Sequence, residues 1–220
     1  MYLELDETLR SRYPGLLARM LVLRKLPIRE FDPKLEAFKL KIYKETRSRW
    51  DLDGLKESKV FRCYRDFFWK VGVDPTKIRP ASEALIRRVL HGNPLPRINT
   101  LVDAYNLASI TITIPFGAFD LDRLNGNLIM REAKPGEEFL GIGMDKTIQL
   151  NGGEPVVQDE NKLIAVYPYR DADYSKVTTL SKNILLMTCG VPSIGDNILF
   201  EAEKVAVDYI TQYNDGVLEE

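Results

Sequence analysis

Hydrophobic and polar positions change period several times along the chain, and each change marks an element. Residues 16–26, LLARMLVLRKL, are mostly apolar and stop at Pro27, as a largely buried strand before a turn would. From Pro33 to about Trp50, Leu35, Phe38 and Ile42 recur at helical spacing while Lys34, Lys41, Lys44, Arg47 and Arg49 fill much of the rest, predicting a surface helix with a basic face. A second helix over about 57–71 aligns Val60, Tyr64, Phe67, Phe68 and Val71 on one stripe, leaves Lys59, Arg62 and Arg65 largely outside it, and ends at Gly72 and Pro75. Ser82 is placed to N-cap a third, with Leu85, Ile86, Val89 and Leu90 buried, Arg87 and Arg88 outward, and Gly92 and Pro94 as the stop.

The segment RINTLVDAYNLAS has two faces. As a helix from about residue 99 it presents Leu101, Ala104, Tyr105 and Ala108 on one side and Asn99, Asp103 and Asn106 on another. Such a polar stripe faces either solvent or a cavity, and part of it can serve as a cap, since Thr100 with Asp103 loosely matches a capping box. Residues 110–114, ITITI, alternate strictly and stop at Pro115, which predicts a strand. Asn125-Gly126 signals a hairpin into NLIMREA, Lys134-Pro135-Gly136 a turn, and Asp159 to Asn161 a second hairpin between EPVV and KLIAVYPY. Asn183 to Cys189 reads as a buried strand, and Asp196 to Tyr213 as an amphipathic helix with Ile198, Ala202, Val205 and Tyr209 inward. Helices first, then mostly strands, then a closing helix make the expected class α+β.

Composition narrows this picture without changing it. The 220 residues are 45% hydrophobic and 29% charged, a globular balance. No apolar run reaches the ~18 residues of a bilayer crossing, and the acidic start MYLELDETLR does not resemble a signal peptide, so no membrane partner and a cytoplasmic location are expected. Cys63 and Cys189 are read as reduced thiols among apolar neighbours, and with His91 the single histidine, no metal and no cofactor are expected. Charge is divided unevenly: residues 1–95 hold 21 Lys and Arg against 13 Asp and Glu, and residues 96–220 hold 10 against 19. The basic front half either faces phosphates or complements the acidic half within the fold.

Familiar catalytic motifs are missing: the chain has no Walker A loop, no GxGxxG, GxSxG, HExxH or CxxC. His91 sits at a helix end, where a structural role beside the negative terminus is expected. Asp120 and Asp122, two apart on a predicted strand, share a face and could do acid–base work or merely solvate a hairpin. Glu137 and Glu138 follow a Pro-Gly turn, where surface charge is ordinary.

The stretch LPRINTLVDAYNLASITITIPFGAFDLDRLNGNLIMREAKPGEEF resembles the B3/B4 domain of the phenylalanyl-tRNA synthetase beta subunit. The resemblance rests on Val102-Asp103 with Asn106, on Pro115 to Asp122, on Gly126, on Arg131 with Ala133, and on Gly136-Glu137. It implies a B3/B4-like mixed sheet flanked by helices, in free-standing form: N-terminal strand and basic helices over 1–80, a motif core over 81–190 and a final helix over 191–220, all in one domain. It further implies tRNA as partner and hydrolysis in trans of the ester of mischarged aminoacyl-tRNA, with ligation itself not expected of this chain. Asn106 matches an asparagine of the editing pocket, whereas the usual threonine before it is Tyr105, the histidine of the P-x-H-A-F-D pattern is Gly117, and the acid ending the family's N-V-L-L-E strand is Met187.

On this reading Asn106, Asp120 and Glu137 are the catalytic candidates, and Arg97, Asn99, Asp103, Tyr105, Gly117 and Met187 border the substrate. Lys41, Lys44, Arg47, Arg62, Arg65, Arg87 and Arg88 would hold the tRNA. A positioned water, aided by polar groups and backbone N–H donors, suffices for such hydrolysis without a side-chain nucleophile. The alternatives are a non-catalytic tRNA- or RNA-binding module and an amino-acid-binding protein.

Overall fold

The computed structural model describes residues 1–214 and 217–219. The first part of the chain runs β1 (Leu3–Leu5), α1 (Glu7–Arg12), β2 (Ala18–Arg24), α2 (Pro33–Arg49), α3 (Leu52–Glu57), α4 (Lys59–Lys70), α5 (Ala81–Leu90) and α6 (Thr100–Ile112). It continues with β3 (Phe116–Asp120), β4 (Leu128–Glu132), β5 (Glu138–Phe139), β6 (Ile148–Gln149), β7 (Pro155–Gln158), β8 (Leu163–Val166) and β9 (Arg170–Asp171). β10 (Ile184–Cys189), α7 (Asp196–Asn214) and β11 (Val217–Glu219) close it.

The α+β expectation holds, with strands in two main sheets ordered β11-β2-β10-β3 and β1-β4-β7-β8-β9, and β5 and β6 as a separate pair. β10 lacks alternation because both of its faces are covered: every residue from Ile184 to Cys189 is buried, between antiparallel β2 and β3. One hydrophobic core takes side chains from both main sheets and from α1, α4, α6 and α7. A second lies among α2 to α7, and α4 serves both, sending Tyr64, Phe67 and Phe68 to the first and Phe61 to the second.

Several local expectations give way to tertiary context. Ile110 and Thr111, expected in a strand, belong to α6, which runs on to Ile112 and closes at Thr113 in the left-handed region (φ 66°). The Ile/Thr alternation is absorbed because Ile110 enters the helical core, Ile114 enters the inter-sheet core, and Thr111 Oγ1 donates to the Leu107 carbonyl at 2.9 Å. The strand begins instead at Phe116, after Pro115.

Asn125-Gly126 does turn the chain, with Gly126 at φ 65°, yet β3 and β4 are not a hairpin. β4 leaves for the other sheet, between β1 and β7, because the Asn125 N–H donates to buried Asp159 Oδ2 at 3.0 Å and so ties the turn to the β7–β8 connection. The β7–β8 hairpin itself forms as expected. Ser82 is not an N-cap: α5 starts one residue earlier behind Pro80, and Ser82 is buried with its hydroxyl unpartnered. In α7 the inward stripe is Leu199, Ala202, Ala206, Ile210 and Tyr213, which leaves Ile198 37% exposed, because the helix is rotated about one position from the expected phase.

Candidate functional site

β3 and β9 are end strands of their respective sheets, and they bring Gly117 and Asp171 together. A Cβ at position 117 would lie 3.3 Å from both Asp171 carboxylate oxygens and 3.4 Å from the Phe119 ring, so glycine here makes room for the acid. The Ala118 backbone N–H, which an end strand would otherwise leave to water, favours the charged form of that carboxylate. Asp171 retains partial solvent contact, yet the surrounding protein desolvates its carboxyl and pushes it up to about 7, with the Ala118 N–H and Arg170 acting weakly the other way.

Tyr105, Met187 and Cys189 complete the surroundings. Met187 is the register partner of Gly117 across β10 and β3 and is fully buried. The Tyr105 ring on α6 lies 6.5 Å from that of Phe116, and burial, reinforced by the charge of Asp171, raises its hydroxyl. Burial and the same carboxylate raise the Cys189 thiol, so this sulfur stays protonated and is no nucleophile at neutral pH. Next to Tyr105 on the helix, Asn106 is half-buried, and its side-chain amide has no partner among the described residues.

The raised carboxyl has a consequence for stability. The native state holds the Asp171 proton more tightly than the unfolded chain, so its contribution is complete below the unfolded value of about 3.9 and is lost as pH rises through about 7. Asp171→Asn is therefore expected to flatten the fall in melting temperature between pH 4 and 7 and to melt above the wild type at pH 8. Thermal melts across that range check this; parallel curves for the two proteins would remove Asp171 as the cause.

Several sequence-predicted site residues are committed to internal partners, which corrects their reading as free groups. Asn99 is buried as the N-cap of α6, accepting the Val102 N–H at 2.9 Å. Asp103 is 3% exposed, accepts the Ile98 N–H at 3.0 Å and pairs with Lys39 at 2.6 Å. The polar stripe thus divides into two structural groups and one unpartnered amide. Asp120 ends β3, buried, and accepts from Ser181 Oγ at 2.6 Å, whereas Asp122 lies exposed in the following 3-10 turn, so the two carboxylates do not share a strand face. Glu137 is bound by Arg131 at 2.6 and 2.8 Å and by the Lys134 N–H at 2.6 Å; Arg131 above all holds its carboxyl below the usual range. It borders a different depression of about 580 Å³, with Arg131, Gln158 and Tyr174. Arg97 is exposed over the Phe31 ring, near Glu36.

Of the basic residues, Lys41, Lys44, Arg47, Arg62 and Arg88 are exposed and Arg87 is half-buried. Arg65 is the exception: it pairs with buried Glu83 at 2.9 Å and donates to the Leu55 and Lys56 carbonyls, pinning α3 to α4 and α5 rather than facing a partner. Sequence reasoning missed Asp171. The only local sign is the polar run Arg170-Asp171-Ala172-Asp173 directly after the apolar LIAVYPY, and no spacing rule ties it to Gly117.

A family model described as the B3/4 domain matches residues 63–202. The phenylalanine–tRNA ligase beta subunit of Fusobacterium nucleatum is 36% identical over 90 residues, 40% of this chain and 11% of that protein. That of Idiomarina loihiensis is 34% identical over 115 residues, 52% of this chain and 14% of that protein. The chain therefore spans only a small part of the relatives it matches. Among solved structures, an N-terminal fragment of the phenylalanyl-tRNA synthetase beta subunit from Pyrococcus horikoshii superposes with a TM-score of 0.53 at 12% identity, over 99% of this chain and 50% of that one, a likeness of fold.

Proposed function

Because the chain belongs to the B3/4 domain family, we propose that it binds tRNA and hydrolyses, in trans, the ester joining a mismatched amino acid to the terminal ribose. One observation carries the reading: a partly solvated carboxyl, pushed up to about 7, lies against Gly117, one of the residues that the sequence reading places along the amino-acid pocket. A base with that affinity is matched to proton transfer at neutral pH. Asp171 takes a proton from a water; the water oxygen bonds to the ester carbonyl carbon; the bond to the ribose oxygen breaks, and that oxygen receives the proton. The products are the free amino acid and tRNA.

The unpartnered Asn106 amide supplies N–H donors for the developing oxyanion, and Tyr105 and Met187 bound the amino-acid side. Asp171 takes the proton-transfer role, while Asp120 and Glu137, catalytic candidates on the sequence reading, hold the frame through Ser181 and Arg131. The exposed cations of α2, α4 and α5 meet the tRNA phosphates.

The test incubates the purified protein with a panel of mischarged tRNAs and follows release of each amino acid. Release of at least one above the spontaneous rate is the expected result, and none above it rejects hydrolysis. A second reading, tRNA binding without hydrolysis, is favoured by one observation: the Asp171 side chain itself occupies the space beside Gly117. It predicts retention of charged tRNA with no release.

A further inference from the structure

A cationic depression lies away from Gly117. The loop before α5 and one face of α5 enclose a depression of about 440 Å³ lined by Lys77, Arg79, Arg87, Arg88, His91 and Asn93, with Ala84 beside them. Ala84, Arg87, Arg88 and His91 recur at the three-, four- and seven-residue intervals that share a helix face, and Lys77 and Arg79 form the opposing wall.

The charges here are not spent on the protein itself. No carboxylate lines the depression; the one acid of α5, Glu83, lies four residues before Arg87 but is buried and paired with Arg65 at 2.9 Å. Among the described residues the Arg79 and Arg87 side chains have no ion-pair or hydrogen-bond partner. Arg88 uses its Nε on the Pro94 carbonyl at 2.6 Å, and Lys77 is 3.9 Å from Asp74. Basic residues in the last turn of a helix offset its negative end, which accounts for Arg87 and Arg88. It does not account for Lys77 and Arg79, which come from the loop preceding that helix.

We propose that this depression is a seat for the RNA phosphodiester backbone, a reading that rests on tRNA as the partner in the function proposed above. Its lining selects that ligand. Convergent guanidinium and ammonium groups, with no carboxylate among them, favour phosphate oxygens. Contacts of this kind fix the position of the RNA and carry no sequence information.

The experiment uses the full chain and uncharged bulk tRNA, with affinity measured by fluorescence anisotropy over a salt series. Arg79→Gln combined with Arg87→Gln is expected to weaken binding at least tenfold at the lowest salt. It should also reduce the slope of log affinity against log salt by about 2, one for each phosphate contact removed. Lys146→Gln with Lys182→Gln, on exposed loop positions outside α2, α4 and α5, is the matched control for loss of charge elsewhere, and circular dichroism melts verify that each variant is folded.

Unchanged affinity and slope in the Arg79/Arg87 variant, with the wild type still binding, overturns this site and leaves the tRNA reading standing. No tRNA binding by the wild type overturns both. A separate arm titrates inorganic phosphate: if the variant loses phosphate binding while keeping full tRNA affinity, the depression takes a free anion and the RNA assignment fails.

Discussion

Replacing Asp171 by Asn is expected to slow the hydrolysis of mischarged aminoacyl-tRNA by about 10²–10⁴-fold, the range a positioned general base contributes. Asn keeps the volume beside Gly117, so tRNA affinity should stay within about twofold of wild type. The pH profile separates a chemical role from a structural one. With Asp171 as base, the wild-type rate climbs to a plateau above about pH 7, as the carboxyl ionises, and the variant lacks that inflection. Single-turnover measurements between pH 5.5 and 8.5 give both quantities. A variant that keeps the wild-type rate and inflection would exclude Asp171 as the base.

Asp103→Ala is expected to destabilise the protein by about 3–5 kcal/mol, because it strands a buried cation. The Lys39 side chain is 4% exposed, and its ammonium rests between Asp103 at 2.6 Å and Glu36 at 2.7 Å, the latter 30% exposed. Burial lowers the Lys39 pKa, but the hydrogen bonds to Asp103 and Glu36 outweigh it and leave the ammonium charged. Removing Asp103 also frees the Ile98 N–H at the start of α6. For a chain of this size the loss should lower the melting temperature by roughly 10 °C. Lys39→Met with Asp103→Leu should recover most of it, since apolar residues of similar volume often replace a buried ion pair without cost. A single variant costing under about 1 kcal/mol would show that Glu36 and water suffice to hold the lysine.

That ion pair shows where a one-dimensional reading stops. Asp103 stood out as part of a polar stripe expected to face either solvent or a cavity, and Asn99 and Asp103 do neither, both being buried on internal partners. What it does instead depended on α2 crossing α6, since only Lys39 on that neighbouring helix turns the stripe into a buried pair. Arg65 is the same case in reverse. Its place outside the apolar stripe of α4 suggested a free cation, and a buried Glu83 from α5 claims it.

Strict alternation misled at Ile110 to Ile114 because period two carries no information once one end of the segment is held in a helix and each isoleucine finds its own core. Asn125-Gly126 specified a turn but not the partner of the strand leaving it. That partner was set by Asp159, a buried acceptor from the distant β7–β8 connection.

The amino-acid sequence by itself determined the α+β class, the buried strand at Ile184–Cys189, the basic helices of the front half, and the motif residues around Asn106 and Gly117. Each follows from local period, turn chemistry or residue type, which act over a few neighbours. Only the tertiary structure decided that Asp171 shares a site with Gly117 and that Lys77 and Arg79 face Arg87 and Arg88. Both depend on chain segments being brought together by burial of a common core, and desolvation and unshared charge arise only after that assembly.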